Sequence, residues 1–128
     1  MSRNRILIVD DDSATRRLIG QILRPLDSDL EFAIDGVAAL DRVSESRPDL
    51  ILLDIALPRI DGWQVLDTLR QGHPATQVPI IVITAHGQGT VAERALRGGA
   101  DRFFEKPFLP DELAAAVVEV LRQTPVRL

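Results

Sequence analysis

LILLDIALPRID, residues 50–61, decides the fold. Its first four residues, Leu50, Ile51, Leu52 and Leu53, form an apolar run with no polar alternation. Such a run suits a strand buried on both faces, as in a parallel sheet covered by helices. It ends on the carboxylate of Asp54, after which Pro58 and the Asp61-Gly62 pair break the backbone. Ligands of open α/β sheets sit at the carboxyl ends of strands, so Asp54 stands where chemistry is usually placed. An isolated strand-ending Asp is more often a solvated surface residue. Asp54 is not isolated.

The same pattern recurs outward from this stretch. Ile6-Leu7-Ile8-Val9 is a second apolar run that ends on acid, Asp10, Asp11 and Asp12. Asp12 or Ser13 can cap a following helix whose apolar positions are Ala14, Leu18, Ile19, Ile22 and Leu23, with Pro25 at its end. Leu30 to Ile34 reads as a short strand, and Asp35-Gly36 turns into a helix carrying Val37, Leu40 and Val43 inward. Downstream, Val65, Leu66 and Leu69 mark a third helix closed by Gly72 and Pro74. Pro79 opens the strand Ile80-Ile81-Val82-Ile83, which ends on Thr84, Ala85 and His86. Gly87 and Gly89 precede a short helix with Val91, Ala92, Ala95 and Leu96, stopped by Gly98-Gly99. Arg102-Phe103-Phe104 is the last strand, followed by Glu105-Lys106-Pro107 and a helix from Pro110 that packs Leu113, Val117, Val120 and Leu121. Five strands alternating with five helices predict right-handed crossovers and a parallel sheet covered on both faces.

Composition narrows the class. The chain has 128 residues, 45% of them hydrophobic and 27% charged, and reads as one domain over residues 1–128 with its core at about 5–122. With no cysteine there is neither a disulfide framework nor a thiolate metal site. Nothing resembles a signal peptide, and no stretch approaches the ~20 apolar residues of a membrane span. A cytoplasmic location without a membrane role is expected. A net charge of −4 argues against a nucleic-acid surface.

Polar groups collect at the carboxyl ends of four predicted strands: Asp10 and Asp11, Asp54, Thr84, and Lys106. A parallel sheet brings those ends to one edge. Carboxylates gathered there repel, by about 4 kcal/mol per pair at 4 Å and an effective dielectric of 20. Domain stability is only ~5–15 kcal/mol, so positive charge must offset the repulsion. Lys106 supplies one charge and a hard divalent cation the rest. Magnesium fits, since it takes one or two carboxylates and keeps waters or phosphate oxygens; manganese is the substitute. A carboxylate beside such a cation is a candidate nucleophile toward a phosphoryl donor, forming an aspartyl phosphate. Thr84 and Lys106 would each donate to an equatorial phosphoryl oxygen.

ILIVDDD, LILLDIALPRIDG, IIVITA and FFEKPF together resemble the response-regulator receiver domain, the CheY-like family, and the likeness runs from about Arg5 to Arg122. The resemblance implies a flavodoxin-like sheet of order 2-1-3-4-5 with helices on both faces. It implies that Asp54 accepts phosphate from a histidine kinase or phosphotransfer protein. Magnesium would sit on Asp11, Asp54 and the backbone carbonyl of Ala56, with Asp10 acting mainly through water. Thr84 and Phe103 would form the switch pair, and Ala56 and His86 the positions that tune phosphoryl lifetime. Lys106-Pro107 is expected to be cis. The output would be a changed surface of the fourth helix, fifth strand and fifth helix. The downstream partner is an unidentified protein, and the chain a monomer or weak dimer through that surface.

Other residues read more plainly. Trp63 reads as a partly buried packing residue, His73 as solvated, and Arg16 and Arg17 as facing solvent on the first helix. Two other classes of function fit parts of the pattern. A haloacid-dehalogenase-type hydrolase fits the acids after the first strand, but its Asp-x-Asp-x-Thr pattern meets Ala14 in the fifth position. A module that works without phosphorylation is the other; the complete set of site residues argues against it. The expectation is a switch whose chemistry is its own phosphorylation and dephosphorylation, not an enzyme acting on other substrates.

Overall fold

The computed structural model describes residues 3–71, 77–85 and 89–123. Among them, the strands are Arg5–Val9 (β1), Asp29–Ala33 (β2), Leu50–Leu53 (β3), Ile80–Thr84 (β4) and Arg102–Glu105 (β5). The alternating helices are Ser13–Leu23 (α1), Gly36–Glu45 (α2), Gly62–Arg70 (α3), Val91–Arg97 (α4) and Pro110–Gln123 (α5). Every strand pairing is parallel, and the order is β2-β1-β3-β4-β5. The expected flavodoxin-like topology is therefore the one observed. The direction of winding reverses between β1 and β3, which opens a crevice at their carboxyl ends.

Every residue of β3 and β4 is buried, because successive side chains point to opposite faces and both faces are covered. Leu7, Val9, Ile51 and Leu53 join one apolar cluster with Ala39, Val65, Leu66 and Ala95 from α2, α3 and α4. Ile6, Ile8, Leu50 and Leu52 join the other with Ile19 and Leu23 of α1 and Leu113 and Val117 of α5. Each such Leu or Ile contributes about 1.5–3 kcal/mol by leaving water.

Aspartates start three of the five helices, α1, α2 and α3. Asp12 accepts from the Thr15 N–H, Asp35 from the Ala38 N–H, and Asp61 forms a reciprocal box with Gln64. The first helix ends in a 3-10 turn, Arg24–Leu26, with Pro25 inside it.

Several inward assignments need correction. Leu18 is 44% exposed and Ala14 is exposed, whereas Ile19, Gly20 and Leu23 face the sheet. The Ile19–Leu23 pair, one turn apart, sets the buried stripe, and Leu18 falls about 100° off it. In α2, Ala39 is buried and Val37 only half-buried. The second strand starts at Asp29 and stops at Ala33, leaving Ile34 beyond it and 56% exposed. Leu96 in α4 is also exposed. Gly72, His73, Pro74, His86 and Gly87 lie outside the described residues.

Candidate functional site

Strand register carries the expected residues to one edge. Val9 lies opposite Leu53, so Asp10 and Asp54, next along each chain, emerge side by side. The Asp54 N–H donates to the Val9 carbonyl at 3.0 Å. Thr84 is opposite Glu105, and the Lys106 N–H donates to the Thr84 carbonyl at 2.9 Å. The lysine thereby enters at the end of β5, beside the fully buried Thr84. The Lys106-Pro107 bond is cis, as expected.

The Lys106 ammonium stands between two carboxylates, 2.8 Å from Asp10 Oδ2 and 3.1 Å from Asp54 Oδ2. Asp10 and Asp54 are 2% and 5% exposed. Their other oxygens accept backbone N–H bonds, Asp10 Oδ1 from Asp12 at 2.9 Å and Asp54 Oδ1 from Ala56 at 3.0 Å. Both buried acids are thus held rigidly, while Asp11, the third, is exposed.

Electrostatics follow from that packing. Burial raises the Asp54 carboxyl above its ordinary range, and the Asp10 charge adds to it. The Ala56 N–H and Lys106 oppose the rise without cancelling it. Burial alone would lower Lys106. Its hydrogen bond to Asp10 and the charges of Asp54 and Asp10 outweigh that and hold the ammonium above its ordinary value. Asp12, which caps α1, is lowered by bonds from the Thr15 hydroxyl and N–H.

One carboxylate oxygen from each of Asp10, Asp11 and Asp54 lies within 4.8 Å of the other two. Three carboxylates face one ammonium, and the donors are all hard oxygen. That set fits magnesium or manganese and not a soft transition metal.

The loop after Asp54 doubles back tightly. Gly62 donates to the Ile55 carbonyl at 2.8 Å, and a Cβ there would lie 2.4 Å from the Asp54 carbonyl oxygen. Only glycine permits this approach. Arg59, with φ +67°, takes a left-handed conformation unusual for a non-glycine residue and reaches Asp35 at 3.5 Å. Phe103, the expected switch aromatic, is half-buried in β5 and packs against the cluster that includes Val82, its partner across the strands. The site therefore gathers Asp10, Asp11, Asp54, Thr84 and Lys106, with Ala56 bonded to Asp54; His86 lies outside the described residues.

Two features escaped the reading of the sequence. Arg16 does not point to solvent; its Nη1 donates to the Asp10 carbonyl at 2.8 Å, bracing the loop that carries Asp11. Lys106 is the only lysine among 15 Lys and Arg residues, a signal that was available from composition. Trp63 is half-buried as expected, with Arg94 stacked 3.9 Å from its ring centre.

Among the described residues, no helix is long and apolar enough to cross a membrane. A family model described as the response regulator receiver domain matches residues 6–118. Response regulator MprA of Mycobacterium sp. (strain KMS) is 40% identical over 120 residues, covering 94% of this chain and 51% of that protein. The chain thus spans about half the length of the curated relatives it matches. The receiver domain of NtrX from Brucella abortus superposes with a TM-score of 0.84 at 36% identity, covering 93% of this chain and 99% of that one. A CheY-like response regulator receiver domain protein from Methanospirillum hungatei JF-1 gives 0.86 at 30% identity, covering 95% and 96%. With sheet order, crevice and sequence in agreement, the chain belongs to the response-regulator receiver domain family.

Proposed function

We propose that Asp54 accepts a phosphoryl group, and that this receiver domain works as a phosphorylation-dependent switch in a two-component pathway. The observation that carries the reading is the Lys106 ammonium held between the buried carboxylates of Asp10 and Asp54. A carboxylate oxygen of Asp54 attacks the phosphorus of a phosphohistidine on a sensor kinase or phosphotransfer protein. The new O–P bond forms as the P–N bond breaks, and the histidine nitrogen takes a proton. Lys106 and the Thr84 hydroxyl donate to the phosphoryl oxygens, where charge develops. Asp11, Asp54 and the Ala56 carbonyl would hold magnesium or manganese, with Asp10 acting through water; the cation supplies charge neutralisation at the phosphoryl oxygens.

Thr84 bonds the phosphoryl group in one state only, so it biases a two-state equilibrium in which Phe103 turns inward. The altered surface comprises α4, β5 and α5, meets a downstream protein, and supports at most a weak dimer. Its chemistry is confined to its own phosphorylation and dephosphorylation. Ala56, without a polar side-chain group, and His86 would tune the lifetime. An acidic pI near 5.1 argues against direct nucleic-acid binding by this domain, and a cytoplasmic location belongs to the same proposal. Amide chemical shifts with and without a phosphoryl group on Asp54 test the switch. Shifts at Thr84, Phe103 and the α4–β5–α5 surface are expected; shifts confined to residues around Asp54 would contradict it.

A further inference from the structure

We propose that Arg94, stacked on Trp63, is a latch that holds α4 in its present position and opposes the phosphorylated state. The proposal rests on the phosphoryl-switch reading above and adds its regulation. Trp63 is fixed to the acceptor. Gly62, the residue before it, packs against the backbone of Asp54 and Ile55. The helix it begins is well seated, with the Asp61–Gln64 box at its start and Val65 and Leu66 buried beneath it.

The helix on the other side of the stack is held much less firmly. α4 has seven residues, Ala95 as its one buried residue, and no side-chain hydrogen bond at its Thr90 cap. So short a helix has little stability of its own and depends on its contacts. It is the helix that follows β4, the strand that ends on Thr84. Besides the core cluster that Ala95 shares with Val65 and Leu66, it meets α3 at Arg94 and, just past its end, at Gly98. Arg94 lies 3.9 Å from the centre of the Trp63 ring. Gly98 approaches Leu66 so closely that a Cβ there would stand 3.0 Å from Leu66 Cδ2. Trp63, Leu66, Arg94 and Gly98 also line a cleft of about 320 Å³, so the stack bridges a gap. A helix resting across a gap has room to shift, and the stack breaks when it does.

An exposed cation–π contact shifts an equilibrium by about two- to fivefold. It acts as a latch only if it is made in one state and lost in the other. Coupling of this kind is reciprocal. If phosphoryl binding breaks the stack, breaking the stack must favour phosphoryl binding.

Beryllofluoride with magnesium, a phosphoryl mimic, is the probe, titrated into the full chain. Fluorine NMR reports binding, and Trp63, the one tryptophan, reports the stack by its emission. The emission of the wild type is expected to change on binding. Arg94→Gln is expected to bind about two- to fivefold tighter, with free-state emission already resembling the bound wild type. Arg94→Lys, which keeps a cation, should lie between them. Trp63→Leu, followed by fluorine NMR alone, should match Arg94→Gln, and the double variant should bind no tighter than either. Circular dichroism checks that each variant folds. Arg94→Gln binding no tighter than wild type overturns the latch while leaving the acceptor intact. A wild type that gives no bound fluorine signal overturns the acceptor reading, and the latch with it.

Discussion

The Lys106 ammonium lies 3.1 Å from Asp54 Oδ2, so the one lysine of the chain touches the proposed acceptor before any phosphoryl group arrives. It also bonds Asp10 at 2.8 Å, and removing it leaves two buried carboxylates facing each other. Lys106→Met is expected to lose about 3 kcal/mol at neutral pH, the low end for a broken buried pair because the lysine is partly exposed. The loss should shrink in mildly acidic buffer, where protonation of the raised Asp54 carboxyl relieves the repulsion. Urea unfolding at both pH values checks this. Because the folded pKa of Lys106 is raised, this contribution is fully present below the ordinary lysine pKa. It is lost as pH climbs from there through the raised value. A lysine-labelled NMR sample follows that titration as one side-chain signal.

Asp54 gives a slope of the same sign in the acid range. Burial raises its carboxyl, so the folded protein holds that proton to a higher pH than the unfolded chain does. Across that window stability falls as pH rises. Asp54→Asn cannot ionise and lacks this slope. In chelator, the variant's melting temperature minus the wild type's should grow as pH climbs through the raised carboxyl range, then level off. Magnesium should narrow the gap by stabilising the wild type. Calorimetry across pH measures it; a gap that never varies with pH would contradict the assignment.

Arg16 braces the Asp10 carbonyl from α1. Arg16→Ala should weaken magnesium binding about tenfold, the low end for groups that support metal ligands without touching the ion. Arg17→Ala, on an exposed position, should leave it unchanged. Magnesium titration calorimetry separates the two.

Glycines at two places should respond in opposite directions. Gly62→Ala drives a Cβ to 2.4 Å from Asp54 and Ile55 backbone atoms, and should cost about 3 kcal/mol. Gly20→Ala puts its Cβ at 3.6 Å from Phe32 Cζ, an ordinary contact inside α1. It should gain about 0.5–1 kcal/mol from helix propensity. Denaturant midpoints of both variants decide the matter.

The strands were legible because Leu50–Leu53 and Ile80–Ile83 are uninterrupted apolar runs, a pattern that only two-sided burial explains. The acids, Thr84 and Lys106 were legible because parallel strands place their carboxyl ends together, whatever the sequence separation. The inward face of α1 was misread at Leu18. Phe32 from the neighbouring strand lies against Gly20, and apolarity gives a glycine no weight. Arg16 was misread for a related reason: a charged side chain predicts solvent, and nothing in spacing reveals a carbonyl within its reach. The Trp63–Arg94 stack joins residues from two helices, and local pattern carries no trace of it.

The most direct test is to phosphorylate the chain with acetyl phosphate and magnesium, then trap the product with borohydride. Borohydride reduces an acyl phosphate to an alcohol, which peptide mass spectrometry locates. One reduced residue is expected, Asp54, with no trapping in chelator and none in Asp54→Asn. Equal labelling of Asp54→Asn, or trapping at a different carboxylate, would contradict the Asp54 assignment.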